Sequence, residues 1–186
     1  MSMWLEYFEQ ALPYEQFLER YGLEDARARW DRQLQRIALN EAQQRLLHAL
    51  QRDVLLLCLA SAWCGDCAAQ VPILARFAEE SERVRLRLVE RDSLPQLRDM
   101  LLINGGRRIP VVVFLSEDGH EVARYGDRTL SRYRYLARAE LGEAIAGAPQ
   151  SEQELLDAMI QEWLNELERV HWLLRLSPRL RRMHCD

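Results

Sequence analysis

The chain holds 186 residues, 29 acidic against 25 basic for a net charge of −4, and 48% of it is hydrophobic. One soluble domain of ordinary size fits those numbers; with 8 Gly and 6 Pro, below the usual combined share of about 12%, a collagen-like, disordered or loop-dominated architecture is excluded. Every basic residue is Arg, so beyond the N-terminus no amine has a tunable pKa, because a guanidinium does not lose its proton in a protein.

The first 50 residues are predicted to be helical. Trp4, Phe8 and Leu12 fall on one stripe, and Leu23, Ala26, Trp30, Leu34 and Ile37 on a longer one, with Pro13 and Gly22 as punctuation. Asn40 and Gln43 have capping-box spacing and open a short helix through Leu46, Leu47 and Leu50. The period then changes. Val54 to Ser61 is a continuous apolar run that suits a strand buried on both faces. A helix from Cys64 to about Glu82 follows, and Val84 to Leu88 alternates with period two as a second strand. Ser93-Leu94-Pro95-Gln96 starts another helix that Asn104-Gly105-Gly106 stops, which completes a parallel strand-helix-strand unit. Val111 to Leu115, the turn Ser116 to Gly119, and Glu121 to Tyr125 read as an antiparallel hairpin covered by a helix from about Thr129.

Gly147-Ala148-Pro149 forms a joint. Beyond it, Ser151 and Glu154 have capping spacing, and Leu155, Leu156, Met159, Ile160, Trp163, Leu164, Leu167 and Val170 make a wide apolar stripe. Such a stripe is core of its own domain, or else a face for a partner or a homodimer through this C-terminal helix. Arg175, Arg179, Arg181 and Arg182 read as a solvated basic tail, since no nucleic-acid motif accompanies them. The expected bounds are a helical extension packed on the core at 1–50, a core domain at 51–146, a C-terminal helix at 150–176 and the tail at 177–186. The longest charge-free run, Val54 to Gly65, falls far short of the roughly 20 apolar residues of a bilayer span. The start lacks a basic region followed by an apolar one, so no secretory signal is expected. A cytoplasmic, reducing setting and no membrane or nucleic-acid partner are therefore expected.

Four cysteines, Cys58, Cys64, Cys67 and Cys185, are too few for a disulfide scaffold in a chain of this size. Cys64 and Cys67 stand where the buried strand gives way to a helix. Free N–H groups and the partial positive charge of a helix N-terminus lower a thiol pKa. Cys64 is expected exposed at the helix tip as the attacking sulfur, with Cys67 one turn in and within disulfide reach as the resolving one. On these residues alone a redox pair, a metal-binding pair and an incidental pair all remain open.

Trp63-Cys64-Gly65-Asp66-Cys67 resembles the Trp-Cys-Gly-Pro-Cys active site of the thioredoxin family. Pro72 matches the proline of that family's active-site helix, Ile109-Pro110 its cis-proline pair facing the dithiol, and Gly126 its substrate-groove glycine. The resemblance covers about residues 50–145 and is similar in detail to a bacterial thioredoxin-like subgroup. It implies an α/β thioredoxin fold, a central mixed β-sheet flanked by helices, with helical N-terminal and C-terminal extensions. It also implies catalytic roles for Cys64 and Cys67 with Asp66 beside them, substrate contact through Trp63, Gly65, Ile109, Pro110 and Gly126, and no cofactor beyond the Cys64–Cys67 disulfide itself. No metal site is expected.

Two departures stand out. Cys58 replaces the family's buried acid, which leaves Cys67 without the usual proton acceptor; water, Asp66, Glu90 and Asp92 are the candidates. Cys58 itself reads as a small buried hydrophobe or as a third thiol under Cys67. Asp66 replaces a proline and is expected to oppose the helix dipole, making Cys64 less acidic and the dithiol more reducing. Arg107 and Arg108 adjoin the groove and could favour acidic substrates or stabilise the thiolate; His48, His120, His171 and His184 read as surface or packing residues. The function so implied is a cytosolic thiol-disulfide oxidoreductase that reduces protein or small-molecule disulfides and is recycled by an external reductase or thiol. The alternatives are a redox-responsive binding module and a metal- or iron-sulfur-binding protein.

Overall fold

The computed structural model describes residues 2–142 and 144–185, so Met1, Glu143 and Asp186, which the expected bounds take in, lie outside the described residues. Four helices come first: α1 (Met3–Gln10), α2 (Tyr14–Tyr21), α3 (Glu24–Arg36) and α4 (Glu41–His48). The core follows as β1 (Val54–Ala60), α5 (Gly65–Glu80), β2 (Val84–Glu90), α6 (Pro95–Met100), β3 (Val111–Ser116), β4 (Glu121–Gly126) and α7 (Leu130–Leu141). The long α8 (Glu152–Leu176) and short α9 (Pro178–His184) end the chain.

The sheet order is β2-β1-β3-β4, parallel between β1 and β2 and antiparallel elsewhere. It is the mixed α/β sheet of a thioredoxin-like fold. All seven residues of β1 are buried, as a strand with a packed layer on each face requires. Register identifies the layers. Arg87, Leu57, Val113 and Arg124 form one row across the sheet, and Arg87 and Arg124 lie over the rings of Phe8 and Trp4, so α1 spans that face. The next row, Leu88, Cys58, Val112 and Tyr125, points to the opposite face. There the Tyr125 ring meets Trp163 of α8 edge-on, with centroids 4.8 Å apart.

Three local expectations are corrected. Leu12 does not extend the α1 stripe, because the chain turns at Ala11 and Leu12 instead exchanges both backbone hydrogen bonds with Leu88, capping the open edge of β2. Leu23 is exposed at the start of α3, outside the stripe that buries Ala26 and Trp30. Ser151 accepts from the Glu154 N–H at 3.1 Å, but the Glu154 carboxylate returns to Gln150 rather than to Ser151. The box at Asn40 and Gln43, by contrast, is reciprocal, with both bonds at 3.0 Å.

The α8 stripe is buried within its own chain from Leu155 to Val170. The terminal segment is a docked helix and not a free tail, although Arg179, Arg181 and Arg182 are exposed on it. Residues 178–184 form α9, with Leu180 fully buried, Arg179 on Asp118 and His184 on Glu117 at 2.7 Å. Glu117 also pairs with the buried Arg52 at 3.0 Å. Among the described residues no helix is long and apolar enough to cross a membrane.

The Arg179 guanidinium, burial notwithstanding, holds Asp118 down at about 2 against an ordinary 3.8. A carboxylate lowered in the folded state stabilises it fully above its unfolded pKa and ceases to do so as pH falls through the folded one. The α9 attachment is therefore expected to hold above about pH 4 and to loosen towards pH 2. Amide exchange across 178–184 should accelerate over that window, and Asp118→Asn should show the faster exchange already at neutral pH.

Candidate active site

The C-terminal end of β1 delivers Ser61, Ala62 and Trp63 to the start of α5, where Cys64 is the N-cap. Its sulfur accepts from the Cys67 N–H at 3.4 Å and lies 3.8 Å from the Ile109 carbonyl oxygen. The expected exposure of Cys64 is not found. The residue is only 8% exposed beside the Ile109-Pro110 segment, while Trp63 next to it is 58% exposed. Cys67, one turn into the helix, is fully buried, and all four cysteines are free thiols.

The two sulfurs are driven apart electrostatically. Donation from the Cys67 thiol, helped by backbone N–H groups of Cys67 and Asp66, brings Cys64 down to about 7 against burial and the Asp66 charge. Burial, and that same hydrogen bond, push Cys67 well up. One sulfur is thus a thiolate near neutrality while its neighbour keeps its proton. Cys58 points from β1 to the face that α8 covers, and burial raises its pKa so far that it is no nucleophile.

Opposite the dithiol, the Ile109-Pro110 peptide bond is cis. Gly126, paired with Val111, has φ +147°, and a Cβ there would stand 2.3 Å from the Pro110 carbonyl oxygen and 3.1 Å from the Val111 Cα. Only glycine lets β4 approach so closely. Gly65 differs: a Cβ there would meet nothing within 4 Å, so the approach over the first turn of α5 is open. Trp63, Gly65, Ile109 and Pro110 therefore gather around Cys64, with Gly126 behind the proline.

Asp66 raises the Cys64 pKa through its charge, in the direction expected. Its carboxylate is clamped by Arg128 at 2.7 Å and Arg132 at 2.6 Å. Burial opposes its ionisation, but those two bonds outweigh burial and hold its pKa low. A charge neutralised twice over opposes the helix dipole weakly, which is why Cys64 is acidic despite it. Arg107 and Arg108 are likewise engaged, at 3.8 Å from Asp99 and 2.9 Å from Asp127. Tyr133 also donates to Asp127.

Several residues that position the site carried no local sequence signal. The indole of Trp30 donates to the Ala62 carbonyl at 2.9 Å, Gln33 to the Ala69 carbonyl at 2.9 Å and Arg29 to the Trp63 carbonyl at 3.3 Å, so α3 holds the chain on both sides of the dithiol. Arg91 lies over the Trp63 ring at 5.0 Å. Gln70, fully buried, ties α5 to the β4–α7 connection through the Asp127 carbonyl at 2.9 Å and the Thr129 N–H at 3.2 Å. A polar side chain on the buried face of an apolar helix was the one available hint. The histidines are engaged elsewhere: His48 with Glu80, His120 with Asp118, His184 with Glu117, and His171 accepting from the Gln51 N–H. No three His, Cys, Asp or Glu side chains among the described residues cluster as a metal site.

Residues 11–138 match the model of a family described as thioredoxin. Among solved structures, a protein of unknown function from Pseudomonas aeruginosa superposes with a TM-score of 0.69 at 19% identity, over 91% of this chain and 97% of that one. An HIV epitope scaffold gives 0.66 at 17% identity with the same coverage. At such identities the likeness concerns the fold, and it extends over the helical additions as well as the sheet. No curated protein matches the chain.

Two outcomes test this geometry. Asp66→Asn should move the alkylation midpoint of Cys64 below about 7, since it removes an opposing charge and frees two guanidinium groups; an upward move would contradict the clamp. Gly126→Ala should cost about 1–3 kcal/mol from backbone conformation alone, with the Pro110 contact adding to it, read as a fall in the urea midpoint.

Proposed function

The chain belongs to the thioredoxin family, and from that membership and the unequal thiols at the start of α5 we propose a thiol-disulfide oxidoreductase acting as a reductase. The observation that carries the reading is the placement of the sulfurs: Cys64 is the N-cap of α5, nearly buried beside an open first turn, and Cys67 is fully buried one turn in, so that the first is brought down to about 7 and the second is pushed well up. A thiol with a pKa near ambient pH is the best attacking sulfur.

In the proposed cycle the Cys64 thiolate attacks one sulfur of a substrate disulfide. A mixed disulfide forms and the other substrate sulfur leaves as a thiolate that water protonates. Cys67, once deprotonated, attacks Cys64 Sγ; the second substrate thiolate departs and the Cys64–Cys67 disulfide remains. Two electrons have passed to the substrate, and an external reductase or thiol returns them. Trp63, Ile109 and Pro110 are the surfaces against which a substrate segment would rest, its backbone pairing beside the proline as an added strand. Substrates are disulfides of proteins or small molecules in a cytoplasmic, reducing setting.

The test is a trap and a potential. Cys67→Ser should accumulate mixed disulfides at Cys64, and Cys64→Ser should abolish disulfide reduction. The wild-type pair, equilibrated with glutathione and followed by Trp63 fluorescence, should have a potential at or below about −270 mV. A clearly oxidising potential, or a pair that never closes, would sink the reductase reading; partner binding lost on oxidation without turnover would favour a redox-responsive binding module.

A further inference from the structure

Glu90, the last residue of β2, pairs with Ala60 and so shares a face with Cys58 and Leu88, the face that α8 covers. Ser61 lies between Glu90 and the dithiol and touches both. Its hydroxyl, fully buried, donates to Glu90 Oε1 at 2.6 Å, and its backbone carbonyl accepts from the Cys64 N–H at 3.1 Å. The other carboxylate oxygen of Glu90, Oε2, is buried with no hydrogen-bond partner among the described residues. An unsatisfied buried oxygen is costly as part of an anion and comfortable once it carries a proton. On its far side Glu90 lines a cleft of about 230 Å³ between α2 and the end of β2, with Gln10, Arg20, Tyr21 and Ser93 in its wall.

The neighbouring acids are poorer acceptors. Asp66 is held by two arginines, and Asp92 is held by Arg91 at 2.6 Å and Arg98 at 3.2 Å. Both are low in pKa through those bonds, whereas burial raises Glu90, with Asp92 adding to the rise and Ser61, Arg91 and the Ala62 backbone opposing it. The charged and titratable groups facing Glu90 are therefore Arg91 and Asp92 from its own segment, Arg20 and Tyr21 from α2, and the thiols at the start of α5.

We propose that Glu90 accepts the Cys67 proton when Cys67 resolves a mixed disulfide, and that the cleft under α2 returns this proton to solvent. The proposal rests on the dithiol reading above. In the step, Cys64 Sγ is bonded to a substrate sulfur. The Cys67 S–H proton passes to the Glu90 carboxylate through the Ser61 hydroxyl or a water molecule. The Cys67 electron pair forms the bond to Cys64 Sγ, the bond to the substrate sulfur breaks, and its pair leaves on the substrate thiolate. Glu90 then gives its proton to water in the cleft. The N-terminal helices thereby acquire a part in turnover, since α2 walls the exit.

The experiment is stopped-flow reaction of the reduced chain with excess dithiobis-nitrobenzoate, in a Cys185→Ser background because that exposed thiol would add its own signal. The first thionitrobenzoate reports attack by Cys64; the second, independent of reagent concentration, reports resolution by Cys67. Glu90→Gln, which still accepts from Ser61, should leave the first phase in place and slow the second about 10²-fold at pH 7. Its rate should then rise with pH without levelling, while the wild-type rate levels above the Glu90 midpoint. Glu90→Asp should recover part of the loss. Equal second phases and pH profiles in wild type and Glu90→Gln would overturn the assignment. A wild-type first phase with no second phase would overturn the dithiol reading instead. Should Glu90→Gln fail to fold, carbon NMR of carboxyl-labelled glutamate in the wild-type chain decides: the Glu90 midpoint should differ between dithiol and disulfide forms, and an unchanged midpoint overturns the proposal.

Discussion

The hydrogen bond from the Trp30 indole to the Ala62 carbonyl, 2.9 Å long and buried, joins the N-terminal helices to the reactive loop. A buried carbonyl deprived of its partner costs about 1–3 kcal/mol, so the loop holds its shape only while α3 stays docked. Gln33 and Arg29 on the same helix bind the carbonyls of Ala69 and Trp63. Three donors from one helix thus satisfy acceptors on both sides of the dithiol. The position of Cys64 as N-cap of α5, and with it the lowering of its pKa, depends on that seating. The extension is part of the site's architecture, in keeping with a family match that begins at residue 11.

What was legible in the sequence follows from locality. The β1 run is apolar at every position because both faces are covered, and no helix of that length would have lacked a polar side. The β2 alternation and the Asn40 box are likewise written within a few residues of where they act, whereas α6 ends at Met100, short of the Asn104-Gly105-Gly106 stop, which turns the Ile103–Gly106 bridge instead. Leu12 and Leu23 were misread because helical spacing continues on paper past Ala11 and begins before Glu24, while the backbone does not. The last segment has one buried apolar residue, Leu180, among charges whose partners lie on the β3–β4 turn. Asp66 shows the same limit in the site itself. Its spacing from Cys64 was plain, but the arginines that neutralise it stand 62 and 66 residues away.

A chain that uses Arg for every cation builds its polar contacts from planar forks, which suit carboxylates better than a point charge does. Around the dithiol this produces closed pairs, Asp66 with Arg128 and Arg132, Asp127 with Arg108, Asp92 with Arg91 and Arg98. Glu90 has a hydroxyl, and not a fork, on its bound oxygen. Fixed positive charge elsewhere and a soft acceptor here divide the acids of the site into those that hold structure and the one with room for a proton.

The β3–β4 turn is where both arms of the chain are moored: the Ser2 hydroxyl donates to the Gly119 carbonyl at 2.7 Å across 117 residues, and Arg179 grips Asp118 across 61. During synthesis α1 emerges well before that hairpin and has no seat until the hairpin has left the ribosome. Until then Trp4 and Phe8 are without their cover, a sticky segment awaiting a site not yet translated. A segment made early is thus among the last to find its place, and slow or paused translation between the two would lengthen the interval in which a chaperone is needed.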